Sequence, residues 1–312
     1  MLAVLVGLLS LSSPALDVAL PRPSELSAVA GDPVELERLA ARLGGTRLLS
    51  LWTDSAKRGQ TKPATILLRG LGLFSQQHPE RACQLLPVFL DSVLPLLRSH
   101  RLDDGMTRVV AETLQRIGDG IGQAHWDSDF VGSPQSVDLT PELADAARRL
   151  VEVALDRSAS LPASVREAAL HSLASLPVAA WAVSAPSLAA LAQASDPPGV
   201  QRAAMSALAV LAQHDRSPAL SEIILQSSDP SVAALAAGEL CLVTAPAPRR
   251  AGSQAASAVL SPILAARVRA LAALDFSLPH RQRLGECLRL LGTPNDRALW
   301  QGIQTAAKRP RR

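Results

Sequence analysis

The residues best placed to do chemistry are His125, Asp127 and Asp129, interleaved with Trp126 and Phe130 in one short stretch. Alternating polar side chains on an extended loop can converge on one point. An imidazole with two carboxylates is then a ligand set for a divalent cation. The two rings offer another use, as an exposed anchor for a partner protein. No cation-binding spacing is met: the chain has no Asp-x-Asp-x-Asp-Gly loop and no His-x-x-x-His pair. The plain alternative is an acidic surface loop whose rings tuck beneath helices. All five residues are candidates for partner contact, and neither a metal nor a cofactor is expected.

Nucleophilic catalysis finds less support. His171 lies on a helical pattern at an offset facing a neighbour or solvent, and His214-Asp215 reads as a turn. No serine sits in Gly-x-Ser-x-Gly, and no Walker or Gly-x-Gly-x-x-Gly loop appears. Arg69-Gly70-Leu71-Gly72-Leu73 is only a weak helical glycine pair. Gly118, Gly120 and Gly122 are spaced like a phosphate cradle, but no strand precedes them, and a helix C-terminus explains them better. Cys83, Cys241 and Cys287 are far apart and form no Cys-x-x-Cys pair, so buried free thiols are the expectation.

The elements that position these residues follow from a repeat. A phrase clearest at Pro162–Leu173 returns at Pro198, Pro230 and Pro262. Its first apolar residues, Val165, Val200, Val232 and Leu264, are 35, 32 and 32 residues apart. Four places on stand Ala169, Ala204, Ala236 and Val268; eight on stand Leu173, Leu208, Leu240 and Ala272. Three on stand Ala168, Ala203 and Leu235, but the fourth copy has Arg267. Such offsets share one helix face. Proline suits a first helical turn, and Asp196 and Asp229 are expected as N-caps. A partner series runs between the copies, with Leu188 and Leu191, then Leu220 and Ile223; the next step lands on Gly252 and Ala255, so the third partner is degenerate. One helix pair cannot bury its apolar face alone, so neighbours must stack.

Ser-Val-Arg-Glu-Ala-Ala-Leu-His-Ser-Leu, followed by Leu-Ala-Ala-Leu-Ala-Gln-Ala-Ser-Asp-Pro, resembles a HEAT repeat of the short bacterial type. The likeness is good over residues 160–244 and fair to about 275. Arg166 fits the family arginine; Gln201-Arg202 is one place off, and the third copy has Ala233. The resemblance implies an all-α fold, an α-solenoid of stacked antiparallel helix pairs forming a HEAT-like superhelix used mainly to bind proteins. It supplies no catalytic residues.

Composition narrows the classes. At 312 residues and 48% hydrophobic, the chain can build a sizeable core. Aromatics are 3% and tyrosine is absent, which argues against an aromatic-rich β-sandwich and against base-stacking platforms. Net charge is +3 but uneven: residues 245–312 hold 12 basic and 3 acidic groups. Such an end can meet nucleic acid, an anionic membrane or an acidic partner. Arg267, Arg269, Arg281, Arg283 and Arg289 are the candidate basic patch. The alternative is a solvated last helix and a frayed tail.

Residues 1–30 hold an apolar leader, Leu2–Leu11, and a linker expected to be extended over 16–32. The leader is too short to span a bilayer, and small residues follow it as in a secretory signal, although no positive charge precedes it. Export is therefore expected, with a buried first helix in a cytoplasmic protein as the alternative. Helical patterns follow at 33–43, 46–53, 62–76, 79–98, 105–121 and 141–157. The expected parts are a divergent helical region at 31–157, the HEAT-like repeats at 158–305 and a basic tail at 306–312. A non-periodic loop is expected at 122–140. The expected function is a non-enzymatic scaffold for another protein. The rivals are nucleic-acid binding through the basic end and a HEAT-like enzyme resembling the lyases that handle tetrapyrrole chromophores.

Overall fold

The computed structural model describes residues 26, 29, 31–129, 139–214, 217–244, 260–274 and 278–307. The side chains of 125–129, 243, 244, 278, 279, 306 and 307 lie outside that description, as do the apolar leader and the positions of Gly252 and Ala255. Every long regular element among the described residues is an α-helix. The first six are α1 (Pro33–Leu43), α2 (Gly45–Lys57), α3 (Thr61–Gln77), α4 (Pro79–Arg98), α5 (Asp104–Asp129) and α6 (Pro141–Leu155). Then come α7 (Ala163–Ser175), α8 (Ala185–Gln193), α9 (Pro198–Gln213), α10 (Ala219–Gln226) and α11 (Pro230–Thr244). The last are α12 (Pro262–Ala272), α13 (Leu278–Leu291) and α14 (Pro294–Ala307).

Local chemistry sets the boundaries. Proline opens α1, α4, α6, α9, α11, α12 and α14, where the first turn has no use for the missing donor. Asp32 caps α1 by accepting from the amides of Val34 (2.9 Å) and Glu35 (3.3 Å). Thr140 caps α6 and Ser261 caps α12 in the same way. Gly44, at φ 75°, turns the chain between α1 and α2 in a region that a side chain disfavours.

The helices pack in two rows. In one row α1, α3, α5, α7, α9, α11 and α13 each touch the next. In the other α2, α4, α6, α8, α10 and α12 do the same, and each helix of α2 to α12 packs on the first-row helix that follows it. The core lies between the rows. Val165, Val200 and Leu264 are buried, as are Ala169, Ala204, Ala236, Val268, Leu173, Leu208 and Leu240. Val232 and Leu235 are half-buried. The partner residues Leu188, Leu191, Leu220 and Ile223 are buried too.

Four expectations need correction. The copies at Pro162, Pro198 and Pro230 lead α7, α9 and α11, successive members of the first row. The copy at Pro262 leads α12, which packs on α10 and α13 as a second-row helix. Arg267, the odd residue of that copy, reaches back to the carbonyls of Ile224 (3.2 Å) and Ser227 (3.3 Å) at the end of α10. An alanine or leucine there could not satisfy those carbonyls. Residues 122–129 are the helical end of α5 rather than loop, because the regular helix does not stop at its glycines. Leu26 and Val29 are helical rather than extended, and Leu26 is buried. Cys241 and Cys287 are not free thiols: they form a disulfide between α11 and α13, with Cα atoms 5.3 Å apart.

The glycines of α5 are therefore helix-interior residues, and their role is close approach. A Cβ at Gly118 would stand 2.6 Å from Ser172 Cα on α7. One at Gly120 would collide with the Ser75 carbonyl oxygen on α3, and one at Gly122 with that of Ser175. Hydroxyls complete these seams. Thr113 donates to the Leu68 carbonyl of α3 (3.2 Å), Ser172 to the Leu114 carbonyl of α5 (3.1 Å) and Ser175 to Asp119 (2.8 Å). Gly120→Ala must push α3 and α5 apart. It is expected to destabilise the protein by about 1–3 kcal/mol, as other strained core insertions do. Gly302→Ala on α14 meets nothing within 4 Å. That change should be neutral or stabilise by up to about 1 kcal/mol. Denaturant titration of the two variants checks the contrast.

Candidate functional site

The C-terminus of α6 and the turn before α9 meet at a cleft of about 400 Å³. Its walls include Arg157, Ser158, Arg166, Ser195 and Asp196. Asp156 ends α6 and fixes the chain there: its carboxylate accepts from the Ser158 amide (2.9 Å) and from Arg98 (2.8 Å). Against the opposing effect of burial, the hydrogen bonds from Ser158, and then Arg98, hold the Asp156 carboxyl below its usual range. Arg157 is thereby set at the lip of the cleft with its side chain 54% exposed.

Arg166 comes from the first turns of α7 and is buried. Its Nε donates to the Ala154 carbonyl (3.0 Å) at the end of α6, and its Nη1 pairs with Asp196 Oδ1 at 2.7 Å. Asp196 Oδ2 lies 3.0 Å from Arg157 Nη2. The angle there is poor, so Oδ2 has no hydrogen-bond donor, and Arg166 Nη2 has no acceptor. Asp196 is thus a clamp between successive helices rather than the N-cap of α9, whose capping position is Pro197 without a side-chain bond. Asp229 does cap: its carboxylate accepts from the Ser231 amide (2.8 Å). Breaking the Arg166–Asp196 pair by removing one partner would leave a buried charge, a loss of about 3–5 kcal/mol. Two guanidiniums face one carboxylate, with an unused donor and an unused acceptor in the wall. The unused pair is buried inside the wall, so Arg157 is the charged group of this set that the cleft presents to solvent. The set contains no imidazole or thiol to serve as base or nucleophile.

The candidate contact residues fall elsewhere. The backbones of His125, Trp126, Asp127 and Asp129 are at the end of α5, so an extended alternating loop is not what holds them. Their side chains, and Phe130 altogether, lie outside the described residues. His171 and His214 are exposed. Among the described residues no group of three or more His, Cys, Asp or Glu could hold a metal. Burial, with Glu142 nearby, pushes the Cys83 thiol up to about 11, which keeps it protonated and unreactive at neutral pH.

The basic-patch residues are on α12 and α13, but their guanidiniums turn to partners in the chain. Arg267 caps α10 as described. Arg269 grips Asp296 of α14 through two bonds, 2.6 Å and 3.0 Å. Arg283 pairs with buried Glu239 of α11, whose other oxygen accepts from Ser206 of α9 (2.7 Å). Burial, with Arg202 nearby, holds Arg283 below the usual arginine range. Arg289 pairs with Glu286 (2.8 Å), and Arg281 also has an interaction partner. Sequence reasoning missed the Arg157–Asp196–Arg166 cluster and the Glu239–Arg283 pair. For the first, the signal was present: a carboxylate before one repeat helix and an arginine in the first turns of the previous one.

Asp296 offers a pH test. The Arg269 hydrogen bonds, helped by Thr293 and opposed by burial, hold its carboxyl down to about 2. A depressed pKa means the contribution is complete above the unfolded value, about 3.9, and disappears as pH falls through the folded one. Asp296→Asn should therefore lower stability by about 2 kcal/mol at pH 7. The gap to the parent should stay flat down to about pH 4 and close between about 4 and 2. Paired melting curves across that range check it.

Comparison with protein-family models, with curated proteins and with solved structures finds no match for this chain in any of the three.

Proposed function

We propose that the chain is a non-enzymatic α-solenoid of the HEAT-like kind, which binds another protein along a face of its stacked helices. The observation that carries this reading is the unbroken order of packing: each first-row helix from α1 to α11 touches the one two places along. An array built that way grows in one direction and presents successive side chains along a ridge, which suits contact with an extended partner surface. The recurrence of buried Val, Ala and Leu in phase with the copies supports the same reading. The Arg157 cleft adds polar groups suited to holding rather than turnover. Nucleic-acid binding through the basic end is weaker, because Arg267, Arg269, Arg283 and Arg289 are engaged with carboxylates and carbonyls of the chain. Among the described residues no cluster favours a lyase-type activity. The Cys241–Cys287 disulfide fits a protein that matures in an oxidising compartment, in keeping with export. No described helix is long and apolar enough to cross a membrane.

Two measurements test this. Small-angle scattering should give a radius of gyration clearly above the roughly 20 Å of a compact globule of this length. Cross-linking of the protein purified with its partners from its native source should join it to one protein. With that partner in hand, Arg157→Gln should weaken binding about tenfold at a stability cost of no more than about 1 kcal/mol, since its side chain is largely at the surface. A compact particle would contradict the solenoid. A stoichiometric nucleic acid, lost steeply with added salt, would contradict the protein-binding reading.

A further inference from the structure

The last unit of the array, α13 with α14, is fastened differently from the rest. Interior helices hold their places with apolar side chains: α9 buries Val200, Ala203, Ala204, Met205, Leu208 and Leu211 among others. Among its described residues, α13 buries only Leu284, Leu288 and Cys287 as hydrophobic side chains, and the one buried residue of α14 is Asp296. Half-buried Leu290, Leu291, Trp300 and Ile303 add to the contact, but at the usual return of about 25 cal/mol per Å² of apolar surface the unit has less hydrophobic adhesion than an interior helix such as α9. Three specific ties take its place. Arg283 of α13 meets Glu239 of α11, Asp296 of α14 meets Arg269 of α12, and Cys287 of α13 is bonded to Cys241 of α11.

The covalent tie closes a loop of large size, since its cysteines are 46 positions apart. Such a cross-link removes many open conformations of the segment it encloses, α12 included. Both sulfurs are buried, at 1% and 0% exposure, so a reducing thiol can reach them only when α13 lifts from α11. The reduced state is also accommodated. Cys287 Sγ lies 3.1 Å from the Ala237 carbonyl, an acceptor ready for a thiol proton. Reduction therefore removes the cross-link without leaving that group without a partner.

We infer that the Cys241–Cys287 pair is a redox latch on the terminal unit: closed, it holds α13 and α14 onto the array; open, it lets that unit detach while the helices before α11 stay folded. Closure is a thiol–disulfide exchange. A small-molecule or protein disulfide accepts two electrons and two protons from the two thiols and leaves as two thiols, while the Cys241–Cys287 bond forms. The inference goes beyond the scaffold reading and does not rest on it. In a chain made in a reducing environment, the terminal unit would be completed only on transfer to an oxidising one.

The test uses the full chain. Protein secreted into an oxidising compartment, or treated with glutathione disulfide, is digested without reductant. A linked peptide containing Cys241 and Cys287 is expected, and two separately alkylated cysteines would overturn the inference. Amide exchange is then followed in the oxidised protein, in phosphine-reduced protein and in Cys287→Ser. Loss of the latch should speed exchange over residues 278–307 by about tenfold or more, with α3 to α9 unchanged. Equal exchange in all three samples, or a uniform rise along the whole chain, would overturn the inference. If Cys287→Ser does not fold, the reduced parent protein decides alone.

Discussion

The structure depends on how closely backbones approach along the first row of helices. At α5 that approach is extreme: three glycines at alternate positions leave no room for a Cβ against Ser172, Ser75 and Ser175. Gly120 faces the helix before it, and Gly118 and Gly122 face the helix after it. One helix thus touches two neighbours nearly backbone to backbone. The serine and threonine hydroxyls buried by such contact find acceptors in the neighbouring helix carbonyls. Alanine at the inner repeat positions applies the same constraint more gently in α7, α9 and α11. A chain with few aromatics can afford close contact, because small side chains fill the space that remains.

Polar ties are placed where this apolar contact is interrupted. At the start of α7, Arg166 ties the Ala154 carbonyl at the end of α6 to Asp196 in the turn between α8 and α9. Toward the C-terminus, Arg267 closes the end of α10, while Arg283 and Arg269 hold the last helices. Arg267, Arg269 and Arg283 are therefore structural residues. A guanidinium can bond several acceptors in fixed geometry, which lysine cannot do. The same property makes Arg166 at the α7 cleft a donor with one nitrogen still unused.

The repeat was legible in the sequence because it rests on periodicity. Val165, Ala169 and Leu173 announce a buried helix face, and Val200, Ala204 and Leu208 repeat it; all six are buried. The row to which a copy belongs was not legible. The Pro262 copy has the same proline and apolar phase as the others, yet it stands in the opposite row, because row is set by how many helices precede it rather than by its own residues. The glycines of α5 were misread for a related reason: glycine at a helix end and glycine at a tight crossing look alike until the neighbour is known. Cys241 and Cys287 carry no spacing signal, since stacking alone brings them together. The cluster around Trp126 drew attention by composition, and α5 extends through its first residues, so that composition alone misjudged the loop's length.

If close contact at α5 joins the two halves of the chain into one array, they should unfold together. Trp52 of α2 and Trp181 of the α7–α8 connection are both fully buried, one on each side of α5. Urea denaturation is followed by fluorescence in two variants, each keeping one of these tryptophans and replacing the other three with phenylalanine. Because the replacements shift stability, each curve is compared with the helix signal by circular dichroism of the same variant. The account predicts that fluorescence and helix signal coincide in both. A helix signal with two steps, of which Trp52 reports one and Trp181 the other, would mean separate domains and would contradict it.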